Sequence, residues 1–373
     1  MNDRVQNPLR QVHQLGQSIW LDDIRRSWLR DGHLARLISE DALAGVTSNP
    51  AIFAKAIGEG AEYNDAIANL ARTGKSINDI YETLALEDVQ AAADLFRQTY
   101  ESTGGGDGFV SLEVSPHLAD DTKGTVAEGL RLWKAFNRPN AMIKVPGTEA
   151  GLPAITDLIA AGVNINVTLL FSVDRYRAVV DAFLTGLEQR VQAGQPIDNV
   201  ASVASFFLSR IDTLIDARLD SMNTGEAKAR RGRAAIASAR LAYQYYKQWT
   251  KSDRWRALAA KGAKPQRLLW ASTSSKDPAY KDTVYVEALI APNTVNTLPP
   301  ATVDAFRDHG DAAVRIEDDL AEAKETVKVL RDMGIELEAV SEQLEREGVK
   351  KFKEPFDALF VTLGKRAESF KKK

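Results

Sequence analysis

The sequence predicts an α/β protein in which eight parallel strands close into a (β/α)8 TIM barrel. Short apolar runs alternate with long helix-period segments nearly from end to end. Strands that alternate with helices pair in parallel through right-handed crossovers. Eight such runs are present, the number that closes this barrel.

In order they are SIWLD (18–22), GVTSN (45–49), FVSLEV (109–114), AMIKVP (141–146), NINVTL (164–169), VASVAS (200–205), RLLWAS (267–272) and VYVEALI (284–290). Between them, segments such as DVQAAADLFRQT (88–99) and residues 173–193 carry apolar side chains at helical spacing. A barrel needs about 250 residues, so a chain of 373 holds a surplus, and three places supply it. Additional helices are inserted after strand 2, around residues 57–100, and after strand 6, across the charged stretch 210–261. A helical C-terminal tail over about 314–373 follows the strands, which span about 18–290. Its LxxMGIELEAVSEQLEREGV run has heptad-like spacing and predicts packing on the barrel with a solvated charged face. The whole chain, 1–373, reads as a single barrel domain. GGGDG (104–108) has the look of a phosphate loop but precedes a strand, so it reads as a connector.

Hydrophobic residues make up 44% and charged residues 27%, the balance of a folded, soluble protein with a large core. A net charge of −3 argues against a nucleic-acid surface. With no cysteine there is no disulfide, thiolate nucleophile or thiolate metal site. His13, His33, His117 and His309 lack ligand spacing, so no zinc site is expected. The N-terminal MNDRVQNPLRQVHQLG lacks the apolar core of a signal peptide, and no run reaches the length of a membrane span; a cytoplasmic protein is expected. The sequon Asn166-Val167-Thr168 lies in an apolar strand and is read as a chance match.

Chemistry enters with Lys144, set in AMIKVP where Pro146 and Gly147 end the strand. An ammonium there loses hydration, which favours the neutral amine unless a carboxylate neutralises it. Side chains alternate along a strand, so Lys144 shares a face with Met142, Glu113 with Ser111, and Thr168 with Asn166 and Asn164. The same rule sets Asp22 with Trp20 and Asn49 with Thr47, and turns Ile165, Val167 and Leu169 toward the helices. Six strands thereby carry a polar group at or near the C-terminal end of the inward face: Asp22, Asn49, Glu113, Lys144, Thr168 and Ser205. That rim is where barrels keep their chemistry. Buried unpaired polar groups cost on the order of 1–3 kcal/mol each, so a purely structural barrel would use aliphatics instead. The bland alternative is a self-satisfied plug in which Lys144 pairs with Glu113 or Asp22. Convergence of one lysine, two acids and several neutral donors favours a reactive site over that plug. A desolvated lysine amine attacks carbonyl carbon, and the Schiff base it forms lets a neighbouring C–C bond break and re-form. Two carboxylates in different surroundings can divide the proton transfers at the substrate hydroxyl and at the carbinolamine. Asn49, Asn166 and Ser205 would hold hydroxyls of a polyol.

GVTSNPAIF (45–53), SLEVSP (111–116), MIKVPGT (142–148), GVNINVTLLFS (162–172), ASFFLSRID (204–212) and LIAPNTVNTLP (289–299) together resemble the transaldolase family in its long-chain bacterial form. The resemblance implies a transferase of the pentose phosphate pathway (the pentose shunt of carbohydrate metabolism). Such enzymes move dihydroxyacetone from sedoheptulose 7-phosphate to glyceraldehyde 3-phosphate, giving erythrose 4-phosphate and fructose 6-phosphate, with no metal and no cofactor. The resemblance implies Lys144 as the Schiff-base lysine and Asp22 as acid/base at the hydroxyl beside the scissile bond. Glu113 with Thr168 would position the water of imine formation and hydrolysis. Asn49, Asn166 and Ser205 would bind the dihydroxyacetone unit, and Arg210 the phosphate. The implied partners are small sugar phosphates, with no nucleic acid and no membrane; monomer and homodimer stay open.

One position departs from the family. After the seventh strand many members carry an arginine close behind the phosphate-binding serine; here Ser272 matches, but Ser274 stands two residues on. Lys276 is inferred to supply the second cation, with less planar, less bidentate binding; an ordinary solvated loop lysine is the equal alternative. Phe207 stands where relatives that only cleave or condense fructose 6-phosphate are expected to carry a tyrosine, and so leans toward transfer; plain packing would also suit it. Fructose 6-phosphate aldolase-like cleavage is thus the first alternative function, and a non-catalytic sugar-phosphate-binding barrel the second.

Overall fold

In the computed structural model, which describes residues 7–371, eight parallel strands pair in sequence order and close on themselves. They are β1 (Gln17–Asp22), β2 (Gly45–Thr47), β3 (Phe109–Glu113), β4 (Ala141–Pro146), β5 (Ile165–Leu170), β6 (Ser202–Phe207), β7 (Arg267–Ala271) and β8 (Thr294–Leu298). Pairing of β8 with β1 completes the ring, Ser18 opposite Val295 and Trp20 opposite Thr297. The first six residues of the polar N-terminal segment and the last two of the tail lie outside the described residues.

Strands 1 to 7 form within two residues of their expected bounds, and the eighth is a correction. VYVEALI is not a strand: Val284–Ala288 is a short helix, and the barrel closes with Thr294–Leu298, so the strands reach residue 298 and not 290. The fully buried residues of that run, Tyr285, Val286, Leu289 and Ile290, recur at helical spacing. Periodicity outweighs the β-branched composition there. Asn293, at φ 60°, then turns the chain into β8.

The outward faces of β4 and β5, Ile143, Val145, Ile165 and Val167, are covered by the helices Gly151–Ala160 and Val173–Gln192. Those helices contribute Ile155, Leu158, Ile159, Val179 and Phe183 to the same buried core. Full burial of each such side chain stabilises the fold by about 1.5–3 kcal/mol. Two residues of the β5 segment depart from simple alternation. Asn164 precedes the strand, and its amide joins neighbouring edges, donating to the Pro139 and Ala141 carbonyls and accepting from the Ala201 N–H. Leu169 has φ 63° where the β5–β6 register shifts.

Glycine at the start of β2 is forced by contact: a Cβ on Gly45 would lie 2.7 Å from the Trp20 ring and 2.8 Å from the Phe109 carbonyl oxygen. GGGDG is a connector, but its aspartate closes the lower end of the barrel. Asp107 accepts from Trp20 Nε1 at 2.7 Å and from the Ser18 hydroxyl, with Arg267 3.4 Å away. Replacing Asp107 by alanine leaves buried Trp20 Nε1 without its acceptor and removes the counter-charge from Arg267, which keeps 2.9 Å bonds to Ser18 and Gly106. The expected cost is roughly 3 kcal/mol, read as a lowered midpoint in urea unfolding; an unchanged midpoint would contradict the assignment.

The helical inserts lie where expected. Pro50–Glu59, Asn64–Arg72, Ile77–Leu95 and Arg97–Ser102 follow β2, and Ser209–Met222, Gly225–Arg230, Ala234–Trp249 and Asp253–Ala259 follow β6. The tail forms Leu320–Asp332 and a 35-residue helix, Leu337–Lys371. Gly334, at φ 81°, breaks the heptad-like run between them. The long C-terminal helix crosses the mouth of the barrel. Its Gly348 lies against Leu169, where a Cβ would come within 2.9 Å of the leucine side chain. Farther along, Arg366 donates to the carbonyls of Gly58 (3.0 Å) and Gly60 (2.9 Å). Among the described residues, no helix is long and apolar enough to cross a membrane.

Candidate active site

Strand alternation brings the acids and the lysine to one end of the barrel. Glu113 sits opposite Lys144 in the β3–β4 register, and Lys144 opposite Asn166 in the β4–β5 register. Lys144 is 4% exposed; its Nζ donates to the Ser48 carbonyl at 3.1 Å and lies 3.1 Å from a Glu113 carboxylate oxygen. Burial pushes Glu113 above the ordinary carboxylate range, and the neighbouring Lys144 opposes that shift. Asp22, at the end of β1, is likewise pushed up by burial, against the pull of Lys144 and a hydrogen bond from Thr47. Thr47 Oγ1 donates to Asp22 Oδ1 at 2.7 Å and shares a second 2.7 Å hydrogen bond with the Thr297 hydroxyl, which fixes the carboxylate in orientation.

The ion pair expected of a plug is therefore present, yet it leaves the mouth open. A cleft of about 170 Å³ lies above it, bounded by Asp22, Asn49, Lys144, Ser205, Arg210, Ser272 and Lys276 among others. The Thr168 hydroxyl and Arg210 Nη1 are buried without a hydrogen-bond partner among the described residues. A self-satisfied plug would have closed on both, since buried polar groups are almost always paired.

Arg210 opens the helix after β6. Burial pushes its pKa down while Asp22, Glu113 and Glu347 hold it up. Its guanidinium lies 5.3 Å from the Phe207 ring and 5.9 Å from that of Phe352. Asn49 caps the Pro50–Glu59 helix through Oδ1, accepting from Ile52 N–H at 3.0 Å, and lines the cleft. Asn166 stands behind the cleft and not on it: its amide donates to Ser111 Oγ at 3.0 Å and accepts from Ser205 Oγ at 2.7 Å. Ser205 is the member of that chain which meets the cavity. Ser272, at φ 56°, shares a 2.8 Å hydrogen bond with Ser209. Lys276 Nζ donates to Ser274 Oγ at 2.6 Å; lost hydration and then the nearby Arg210 cation push its pKa down. The loop lysine thus lines the cleft beside Arg210.

Five lining residues escaped the sequence reading as site members: Thr47, Ala271, Thr297, Pro299 and Phe352. Alternation did set Thr47 inward, and only its role was missed. Thr297 was lost with the misplaced eighth strand. Nothing in the sequence signalled Phe352. Among the described residues, no group of three or more His, Asp or Glu side chains could hold a metal ion.

The model of the family described as Transaldolase/Fructose-6-phosphate aldolase matches residues 19–363. The chain belongs to the transaldolase/fructose-6-phosphate aldolase family. It is 51% identical to a transaldolase of Saccharopolyspora erythraea over 97% of this chain and 98% of the relative. A transaldolase of Thermobifida fusca is also 51% identical, over 95% of this chain and 96% of its own length. A transaldolase of Trichodesmium erythraeum is 48% identical over 96% and 97%. In this family member, the sequence segments that carried the resemblance fall on β2 to β6 and β8 and the turns that leave them.

Proposed function

We propose that this chain is a transaldolase and that Lys144 carries the dihydroxyacetone unit from sedoheptulose 7-phosphate to glyceraldehyde 3-phosphate. The observation that supports this best is a buried amine 3.1 Å from Glu113, with Asp22 and Arg210 around one cleft. The amine adds to the ketose C2, and the carbinolamine loses water to give an imine. Glu113, pushed up by burial, is suited to hold a proton and deliver it to the departing hydroxyl. The unpaired Thr168 hydroxyl is suited to hold that water. Asp22, aimed by Thr47, takes the proton from the C4 hydroxyl. The C3–C4 bond then breaks with its electrons passing into the imine, and the aldose leaves. The enamine attacks the next aldehyde, Asp22 returns the proton, and water releases the new ketose. Asn49 and Ser205 bind the three-carbon unit, Asn166 orienting Ser205 from behind. Arg210, with Ser272 and Lys276, meets the phosphate. Phosphorylated sugars do not cross membranes unaided, which fits a cytoplasmic enzyme with no membrane or nucleic-acid partner.

The test is turnover of fructose 6-phosphate with erythrose 4-phosphate, following sedoheptulose 7-phosphate and free dihydroxyacetone together. Transfer is expected to dominate, in keeping with Phe207, which has no hydroxyl to assist release; dihydroxyacetone as the main product would instead favour the aldolase alternative. In the same assay Arg210→Ala should raise KM by about tenfold or more with a smaller change in kcat, and an unchanged KM removes Arg210 from the phosphate site.

A further inference from the structure

The C-terminal helix brings an aromatic side chain to the wall of the cleft. Phe352 lies one turn beyond Gly348, on the face of the helix packed against the barrel. It is 4% exposed, with its ring centroid 5.5 Å from Lys144 Nζ. The Arg210 guanidinium is 5.9 Å from this ring and 5.3 Å from that of Phe207. The helix is pinned on both sides of Phe352. Before it, Arg218 donates to Gln343 at 2.7 Å, and Arg175 lies 3.2 Å from Glu345. After it, Arg366 reaches Gly60 and Asn64 at 2.9 and 2.8 Å. Phe352 is thus a fixed roof and not a swinging lid.

Most of the other residues that line the cleft carry polar groups able to hold water, among them Asp22, Thr47, Asn49, Ser205 and Ser272. The reaction proposed above leaves a three-carbon enamine on Lys144 after the first aldose departs. That enamine has two fates. It can attack a second aldehyde, or it can take a proton at carbon to give an iminium. Water then adds at C2 and loses a proton, and the carbinolamine collapses, expelling the Lys144 amine and releasing dihydroxyacetone. The water added at C2 balances the one lost when the imine formed, so the second route consumes none overall, and it needs no acceptor. An apolar ring over the nitrogen lowers access of bulk water to C2 while leaving the sides of the cleft for the aldehyde. We propose that Phe352 is a specificity-determining residue that sets the partition between transfer and hydrolytic release by shielding the Lys144-bound intermediate from bulk water. The proposal rests on the Schiff-base reading of Lys144.

The experiment uses the full chain with fructose 6-phosphate and erythrose 4-phosphate, and measures free dihydroxyacetone relative to sedoheptulose 7-phosphate. Borohydride trapping in parallel reports whether the Lys144 adduct forms. Phe352→Ala should raise the ratio by about tenfold with the adduct retained. An unchanged ratio with the adduct retained overturns the proposal. If Phe352→Ala does not fold, Phe352→Val decides by the same ratio: a rise supports the roof and no rise overturns it. Failure of the underlying reading is separate, because it shows as no adduct in the unmodified chain.

Discussion

Lys144→Ala abolishes transfer, lowering kcat by about 10⁴-fold or more, while the protein stays folded. The loss is large because Lys144 is the amine paired with Glu113; of the other cations that line the cleft, Arg210 opens the helix after β6 and is no nucleophile, and Lys276 is held on the loop after β7 by Ser274. Folding survives because Glu113, which loses its partner, is already pushed up by burial and can take a proton in place of a buried bare charge. Lys144→Arg does not rescue activity, since a guanidinium keeps its charge and is no nucleophile. The check is steady-state turnover beside circular dichroism. Residual transfer within tenfold of the unmodified chain would contradict the assignment (~10-fold being only 1.4 kcal/mol of barrier).

Asp22→Ala separates the two halves of the chemistry. Imine formation needs Lys144 and Glu113, whereas C–C cleavage needs a base at the C4 hydroxyl. Cleavage should therefore fall by about 10²–10⁴ while the imine still forms. Trapped with borohydride in fructose 6-phosphate, this variant should carry the intact six-carbon sugar phosphate. A three-carbon adduct formed at the unmodified rate would remove Asp22 from the proton transfer. The pH profile gives an independent reading. Burial raises the Asp22 pKa, so its basic form appears only above the range of an ordinary aspartate. Activity should fall as pH drops through that raised value, and no acid limb controlled by this group should remain in Asp22→Ala.

Much of this was legible in the sequence because strand alternation is a strict rule. It set Glu113, Lys144 and Asp22 on inward faces: Asp22 and Lys144 line the cleft, and Glu113 lies 3.1 Å from the Lys144 amine. The rule failed where the backbone leaves ideal geometry. Leu169 turns through a left-handed conformation and meets the C-terminal helix, and Asn164 falls outside its strand. Composition failed at Val284–Ala288, where β-branched residues lie on a helix, and Thr297 was lost with it. Phe352 was out of reach for a different reason. It joins the site from a helix more than 200 residues from Lys144 in the chain, and local spacing carries no record of such a contact. For Lys276 the sequence allows a phosphate contact or a solvated loop position equally; the folded loop places it on the cleft wall.

The central claim is that the Lys144 amine bonds covalently to a ketose carbon. Incubation of the unmodified chain with saturating fructose 6-phosphate and borohydride, followed by peptide mass spectrometry, tests it most directly. One reduced dihydroxyacetone unit on the peptide holding Lys144 is the predicted result. An unmodified Lys144 peptide from protein that is turning over the sugar would contradict the account.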